Sequence, residues 1–286
     1  MRTRGSVKRS IDPVIASRRR CAPRKTSVMK TPQQRGADLN MSRLVDPVSR
    51  LLPALVLVLS IPAAEASTWT FASGGNYATT SGTSYGNRMT FSQGTQSVRV
   101  SAWSDTGNSP QDAFESASVR RFSTGLGVCN RDEGAITACI NGALNHQVDN
   151  VGQHDLVLFL FDSPQAMQSV TIDPYGVWDR DVSFWVGTVS ASIDLSGANF
   201  GTLGALGFGN QVNSFNSAGE APLAVTLRGL VGNALLVGGL YPADGSADRF
   251  KIRSLVTTAP AVVPVPAAVW LFLSALGSLA GLRRLV

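Results

Sequence analysis

Apolar and polar residues alternate along much of this chain. Val98, Val100 and Ala102 alternate with Arg99 and Ser101, which predicts a half-buried strand over Ser97–Ser104. Trp69–Phe71, Arg88–Ser92 and Glu115–Phe122 read the same way, with Gly74–Asn76 and Ser81–Gly86 as turns. Asp155–Asp162 (DLVLFLFD) is continuously apolar between two acids, so it is expected to be a central strand covered on both faces. Further strands are expected at Ser169–Asp173, Asp181–Ser190, Leu223–Leu227, Asn233–Leu240 and Arg249–Thr257, and one short helix at Phe200–Leu206. About ten strands separated by Gly, Asn and Ser turns predict an all-β fold, an antiparallel β-sandwich of which a jelly roll is one form. The pattern assigns 67–257 to this extracytoplasmic domain and 258–263 to a linker, with no internal repeat.

The two ends follow other patterns. Residues 51–61 (LLPALVLVLSI) are too short an apolar run to span a bilayer comfortably, and small residues follow them. Ala64 and Ala66 stand at the −3 and −1 positions that signal peptidase requires, which predicts cleavage before Ser67. Met41 opens a segment of ordinary signal-peptide length, 41–66. The basic residues 1–40 lack apolar periodicity and read as an overextended gene start, or alternatively as a long basic leader. At the other end no charge occurs from Ala267 to Leu282, and Arg283–Arg284 follow. This predicts a transmembrane helix, with Trp270 near one interface and the Arg pair held on the cytoplasmic side. The alternative is an apolar core helix closing the domain.

Residues 263–272 carry a more specific signal. Val263-Pro264-Val265-Pro266-Ala267-Ala268, then Trp270-Leu271-Phe272, the apolar helix and Arg283-Arg284 resemble a PEP-CTERM sorting signal, the tag read by exosortases of Gram-negative bacteria. Val265 departs from the namesake motif, where Glu is usual, and matches a variant form. The resemblance implies transient inner-membrane anchoring, exosortase cleavage near Pro264–Pro266, and delivery to the cell surface or matrix. Gly125–Asp162, with its Gly-rich turn, cysteine pair and Asn-His-Gln-Val-Asp-Asn stretch, is similar to a group of exosortase-dependent surface proteins. That likeness implies a β-rich extracytoplasmic domain with no known catalytic activity, in a system linked to exopolysaccharide and biofilm.

Charge sharpens the picture. The formal net charge of +6 suggests an anion-seeking protein. Residues 1–40, however, carry +9 and 67–263 carry −5, so the basicity lies outside the domain and nucleic acid is not an expected partner. A charged fraction of only 15% with 28 glycines excludes a coiled coil, and 44% hydrophobic residues exclude general disorder.

Candidate chemistry is sparse. Cys129 and Cys139 in an exported chain predict a disulfide, against the alternatives of two free thiols or a metal site whose spacing fits no thiolate motif. His146 and His154, with Asp149 and Asp155, offer a metal or acid–base group, but their spacing is no zinc signature. Asn130, Asp132, Glu133, Asp149, Asn150 and Asp155 supply oxygen donors that suit calcium, without an EF-hand pattern, so no cofactor is expected beyond that candidate. A second acidic group, Asp173 to Asp181 with Tyr175 and Trp178, reads as a turn in which Arg180 screens Asp179 and Asp181, or as a glycan contact. No G-x-S-x-G elbow or P-loop occurs. The expected function is that of a non-enzymatic surface or matrix protein, processed by signal peptidase and exosortase and associated with exopolysaccharide. The rivals are a carbohydrate-active enzyme or glycan-binding module using the acidic loops, and a permanently membrane-anchored protein.

Overall fold

The computed structural model describes residues 65–107, 112–141, 146–260 and 271–277. Strands β1 (Ala66–Thr70), β2 (Tyr77–Thr80), β3 (Arg88–Gln93) and β4 (Gln96–Asp105) open the chain. There follow β5 (Phe114–Ser116), β6 (Ser118–Phe122), β7 (Gly125–Cys129), α1 (Ile136–Asn141) and β8 (Val148–Asp149). The long β9 (Asp155–Pro174) leads to β10 (Val182–Gly187), a 3-10 helix (Phe200–Leu206), β11 (Val212–Ser214), β12 (Leu223–Gly239) and β13 (Arg249–Thr258). The strands pair antiparallel and join into one 13-stranded sheet. All-β antiparallel architecture is therefore as expected, in one continuous hydrogen-bonded network.

β9 and β12 unify the sheet. The first part of β9 pairs with β4 (Val98↔Phe161 to Ser104↔Asp155) and its later part with β13 (Ala166↔Thr258 to Pro174↔Phe250). β12 runs beside β9 through both parts, with register shifts at Thr226/Leu230 and Gly232/Ala234.

The apolar run of β9 is covered on both faces. Val157, Phe159 and Phe161 enter a core with Trp69, Phe71, Phe91, Val170 and Ile252. Leu156, Leu158 and Leu160 enter a second core with Trp103, Phe114, Trp185, Leu195, Leu203 and Leu236. In the first core the Phe71 ring lies 4.9 Å from Phe91 and 5.1 Å from Phe159, and Trp69 meets Phe161 edge-on at 5.7 Å. The 3-10 helix helps to cover the second core, with Phe200 edge-on to Phe114 at 4.9 Å. Its ends are fixed by a reciprocal Asn199–Thr202 capping box and a left-handed Gly207.

Four expectations need correction. Glu115–Phe122 is two strands, with β5 pairing β4 and β6 pairing β7. Asp155–Asp162 and Ser169–Asp173 are one strand, as are Leu223–Leu227 and Asn233–Leu240. The expected Asp181–Ser190 strand ends at Gly187. The expected Gly-rich turn at Gly125 is the fully buried β7, where backbones pass so closely that a Cβ on Gly127 would lie 2.0 Å from His146 O and one on Gly125 2.4 Å from Ile252 O.

At the ends, Ala66 and Ser67 begin β1 and pair with Thr258 and Thr257. The expected signal-peptide run 51–61, Ala64, the expected sorting-motif residues Val263 to Trp270, and Arg283–Arg284 lie outside the described residues. Leu271 and Phe272 sit in an exposed helical segment, 271–277. Among the described residues no helix is long and apolar enough to cross a membrane.

Candidate functional sites at two acidic clusters and a groove

The expected disulfide is formed. Cys129 and Cys139 are bonded at 1.98 Å with Cα atoms 5.8 Å apart, tying the end of β7 to α1. The loop it closes is organised by Asn130, whose Oδ1 accepts from Asp132 N–H (3.1 Å) and Glu133 N–H (3.0 Å). The Glu133 carboxylate accepts in return from Asn130 N–H at 3.3 Å. The Asn130 amide then reaches across to β9, donating to Asp155 Oδ1 at 3.1 Å.

Asp155 is fully buried, and its Oδ2 has no hydrogen-bond partner. Burial pushes its carboxyl well above the ordinary value, with the neighbouring Asp149 and Glu133 adding to the rise. Asp149 is buried at the end of β8 and accepts from Val151 N–H at 3.0 Å. Desolvation raises it to about 6 despite that bond and the nearby Arg249. Glu133 rises to about 8, first through desolvation and then through Asp149. Arg249, opposite Asp149 across β8 and β13, holds its guanidinium 4.9 Å from the Trp178 ring.

Of the calcium candidates, the structure thus gathers Glu133, Asp149 and Asp155, with Asn130 bonded to Glu133 and Asp155, and separates Asp132 and Asn150. Asp132 is exposed, and its charge acts on Glu115. Asn150 turns to Asp248, donating to its Oδ2 at 2.6 Å. The histidines have separate roles. His154 Nδ1 lies 3.0 Å from Asp105 Oδ2, and its ring meets Tyr241 edge-on at 5.1 Å. His146 stacks on Phe122 at 4.3 Å.

The second cluster is Asp179, Asp181 and Asp244, which each place one carboxylate oxygen within 4.8 Å of those of the other two. Each accepts a backbone N–H: Asp179 from the adjacent Arg180 (2.8 Å), Asp244 from Ser246 (2.8 Å), and Asp181 from Asn216, 35 positions away. Arg180 does not screen them as expected. Its guanidinium donates to Ser217 O (2.6 Å) and Ala221 O (3.2 Å), pinning the loop after β11. Asp173, at the start of this acidic segment, pairs with Arg253 at 2.6 Å. Asp244 escaped sequence reasoning because it is 63 positions from Asp181, on the loop between β12 and β13. Asp248 backs the cluster, and desolvation raises it to about 7 although Leu240 and Asp181 N–H groups donate to it.

Beside this cluster runs an open groove of about 400 Å³, lined in part by Phe184, Val212, Asn213, Ser214, Phe215 and Asn216. Phe215 is 71% exposed. Ser183 Oγ (2.8 Å) and Gln211 Nε2 (2.7 Å) both donate to Asn213 Oδ1, which fixes that carboxamide. No family model, curated protein or solved structure matches the chain.

Proposed function

We propose that this chain is an exported, non-enzymatic surface or matrix protein that contacts exopolysaccharide through the groove beside β11. The observation that carries the reading is the groove itself. It is open and amide-rich, and it is flanked by the exposed Phe215 ring. An aromatic face that takes a sugar ring, beside oriented amide and hydroxyl groups that bond its hydroxyls, is what recognition of a neutral or weakly charged glycan requires. The sheet is read as a sandwich folded over its two cores, a rigid base for such a surface.

Two further features support export. A buried disulfide suits an oxidising compartment. The Ala64–Ala66 site and the Val263–Phe272 tail suit processing by signal peptidase and an exosortase, with brief membrane attachment through the C-terminal helix. The net charge of −5 over 67–263 does not favour nucleic acid.

Sedimentation with purified matrix polysaccharide tests the glycan contact: the protein co-sediments, and Phe215→Ala does not. Equal co-sedimentation of both would remove the groove from the reading. Intact mass of the protein recovered from cells tests the sorting. The expected chain begins at Ser67 and lacks 267–286, whereas retention of 267–286 would favour the permanently anchored alternative. A second reading, a carbohydrate-active enzyme, is favoured by the unscreened pair Asp179 and Asp181 near the same groove. It predicts polysaccharide turnover that Asp179→Ala or Asp181→Ala abolishes.

A further inference from the structure

Glu133, Asp149 and Asp155 come from three separate places: the disulfide-closed loop, the end of β8 and the first residue of β9. Arg249 opposes the rise at Asp149 and Glu133, and His154 also opposes it at Asp149, whereas at Asp155 the neighbouring carboxylates add to it. A carboxylate with 0% exposure whose Oδ2 makes no hydrogen bond is costly to keep in a fold. Asn130 donates to its other oxygen and the Asp149 backbone also favours its charged form, yet Oδ2 is left buried without a partner beside two more carboxylates. Such a site is completed by a positive charge that accepts several oxygens at once.

We propose that Glu133, Asp149 and Asp155 bind a divalent cation of the calcium class. The donor set selects the class. Both nearby sulfurs are locked in the disulfide, His146 is stacked on Phe122, and His154 is held to Asp105 through Nδ1, with only its Nε2 unpartnered. The carboxylate oxygens dominate the donor set, and these suit a hard cation better than zinc or copper. Calcium tolerates irregular geometry and takes 6–8 oxygens, which carboxylates, nearby carbonyls and water together supply. The three carboxylates are not gathered as tightly as Asp179, Asp181 and Asp244. Glu133 lies in a turn, so the proposed site closes by a shift of this side chain toward Asp149 and Asp155 on binding. The Cys129–Cys139 bond gains a role here, since it confines Glu133 and Asn130 against Asp155. This inference stands apart from the glycan reading, because the groove is lined by other residues.

The test is thermal unfolding of the purified full chain in EDTA and in calcium chloride at roughly 1–10 mM, a range that saturates sites of extracellular affinity. Calcium is expected to raise Tm by about 3–10 °C, with magnesium giving less. Asp155→Asn keeps the shape of the side chain, removes the buried charge, and abolishes the calcium-dependent shift. Glu133→Gln, on the loop, reduces the shift without touching the core. The Asp179→Asn/Asp244→Asn double variant leaves it intact. The proposal is overturned if calcium does not move Tm of the parent protein, if the shift survives undiminished in both Asp155→Asn and Glu133→Gln, or if the Asp179/Asp244 double variant abolishes it.

Discussion

Asn150 and Asp248 clasp each other across 98 positions of sequence: the Asn150 amide donates to Asp248 Oδ2 at 2.6 Å, and Asp248 N–H donates to Asn150 Oδ1 at 2.9 Å. The pair joins the turn after β8 to the end of the loop that leads into β13. Asp248 also accepts from Leu240 N–H (2.8 Å) and Asp181 N–H (2.9 Å), so it fastens three segments at the base of the second acidic cluster.

That position makes Asp248 a source of pH dependence. Three donor bonds to its carboxylate favour the ionised form, yet desolvation, with Asp181 and Asp179 nearby, outweighs them and sets its value at about 7 against an ordinary 3.8. The folded state therefore holds a proton that the unfolded chain has released between those values. Its contribution to stability is full below about pH 4 and is lost as pH rises through about 7. Asp248→Asn is expected to flatten the fall in unfolding free energy between pH 5 and pH 8, measured by urea titration. It is also expected to cost about 1–3 kcal/mol throughout, because its NH2 group meets one of the existing donors. A slope unchanged by the substitution would assign the pH dependence to another group.

The disulfide closes a short loop, with a sequence separation of 10. The chain-entropy account gives about 2–3 kcal/mol for a loop of that size. Both cysteines are fully buried, so Cys129→Ala/Cys139→Ala also leaves a small cavity. The double variant is expected to unfold at lower denaturant with an unchanged m-value. Incubating the folded parent with dithiothreitol is expected to act slowly, because the bond is reached only after local opening.

Two phenylalanines separate stability from recognition. Phe159 has 0% exposure and packs on Phe71 in the first core, so Phe159→Ala is expected to cost about 3–5 kcal/mol. Phe215 is 71% exposed, so Phe215→Ala is expected to change stability by less than about 0.5 kcal/mol. Its effect should instead appear in polysaccharide affinity, as a loss of roughly 5–10-fold for one aromatic contact. Paired denaturation and binding curves on both variants check this, and a large stability loss in Phe215→Ala would place that ring in the fold rather than at a surface.

The strands that periodicity found are those whose alternation is unbroken. Val98 to Ala102 and the run from Leu156 to Phe161 sort their faces into cores as the pattern predicts. The errors fall where local chemistry argues for a break but tertiary pairing carries the strand onward. Pro164 lacks an N–H and Arg228–Gly229 adopt positive φ (60° and 67°), so both sites read as strand ends. The chain absorbs them as irregularities in the β9–β12 ladder, between Gly232/Ala234 and Thr226/Leu230. β7 was hidden because its glycines read as a turn, when they serve close backbone contact. The calcium candidates were legible as a composition. Only the topology distinguishes Glu133, which faces Asp149 and Asp155, from its neighbour Asp132, which does not.

Lys251 gives the last prediction. It is only 4% exposed on β13, with its ammonium 5.0 Å from the Phe122 ring centroid. Desolvation lowers it to about 8 from an ordinary 10.5, while Asp173 acts in the opposite sense. Asp173 already has Arg253 at 2.6 Å, so removing the lysine leaves no buried charge without a partner. Lys251→Met keeps an unbranched apolar chain over Phe122, forfeits a cation–π contact of about 0.5–1 kcal/mol, and sheds the cost of burying the ammonium. Stability at pH 7 is expected to be unchanged or to rise by about 1 kcal/mol. The sign of the linkage supplies an internal control. The folded parent releases this proton at lower pH than the unfolded chain, so its stability gains between about pH 8 and pH 10.5 from this group. The methionine variant should lose that gain, and a urea titration series across pH 7–10 measures it. A loss of more than about 2 kcal/mol at pH 7 would mean that the lysine–Phe122 contact outweighs the desolvation.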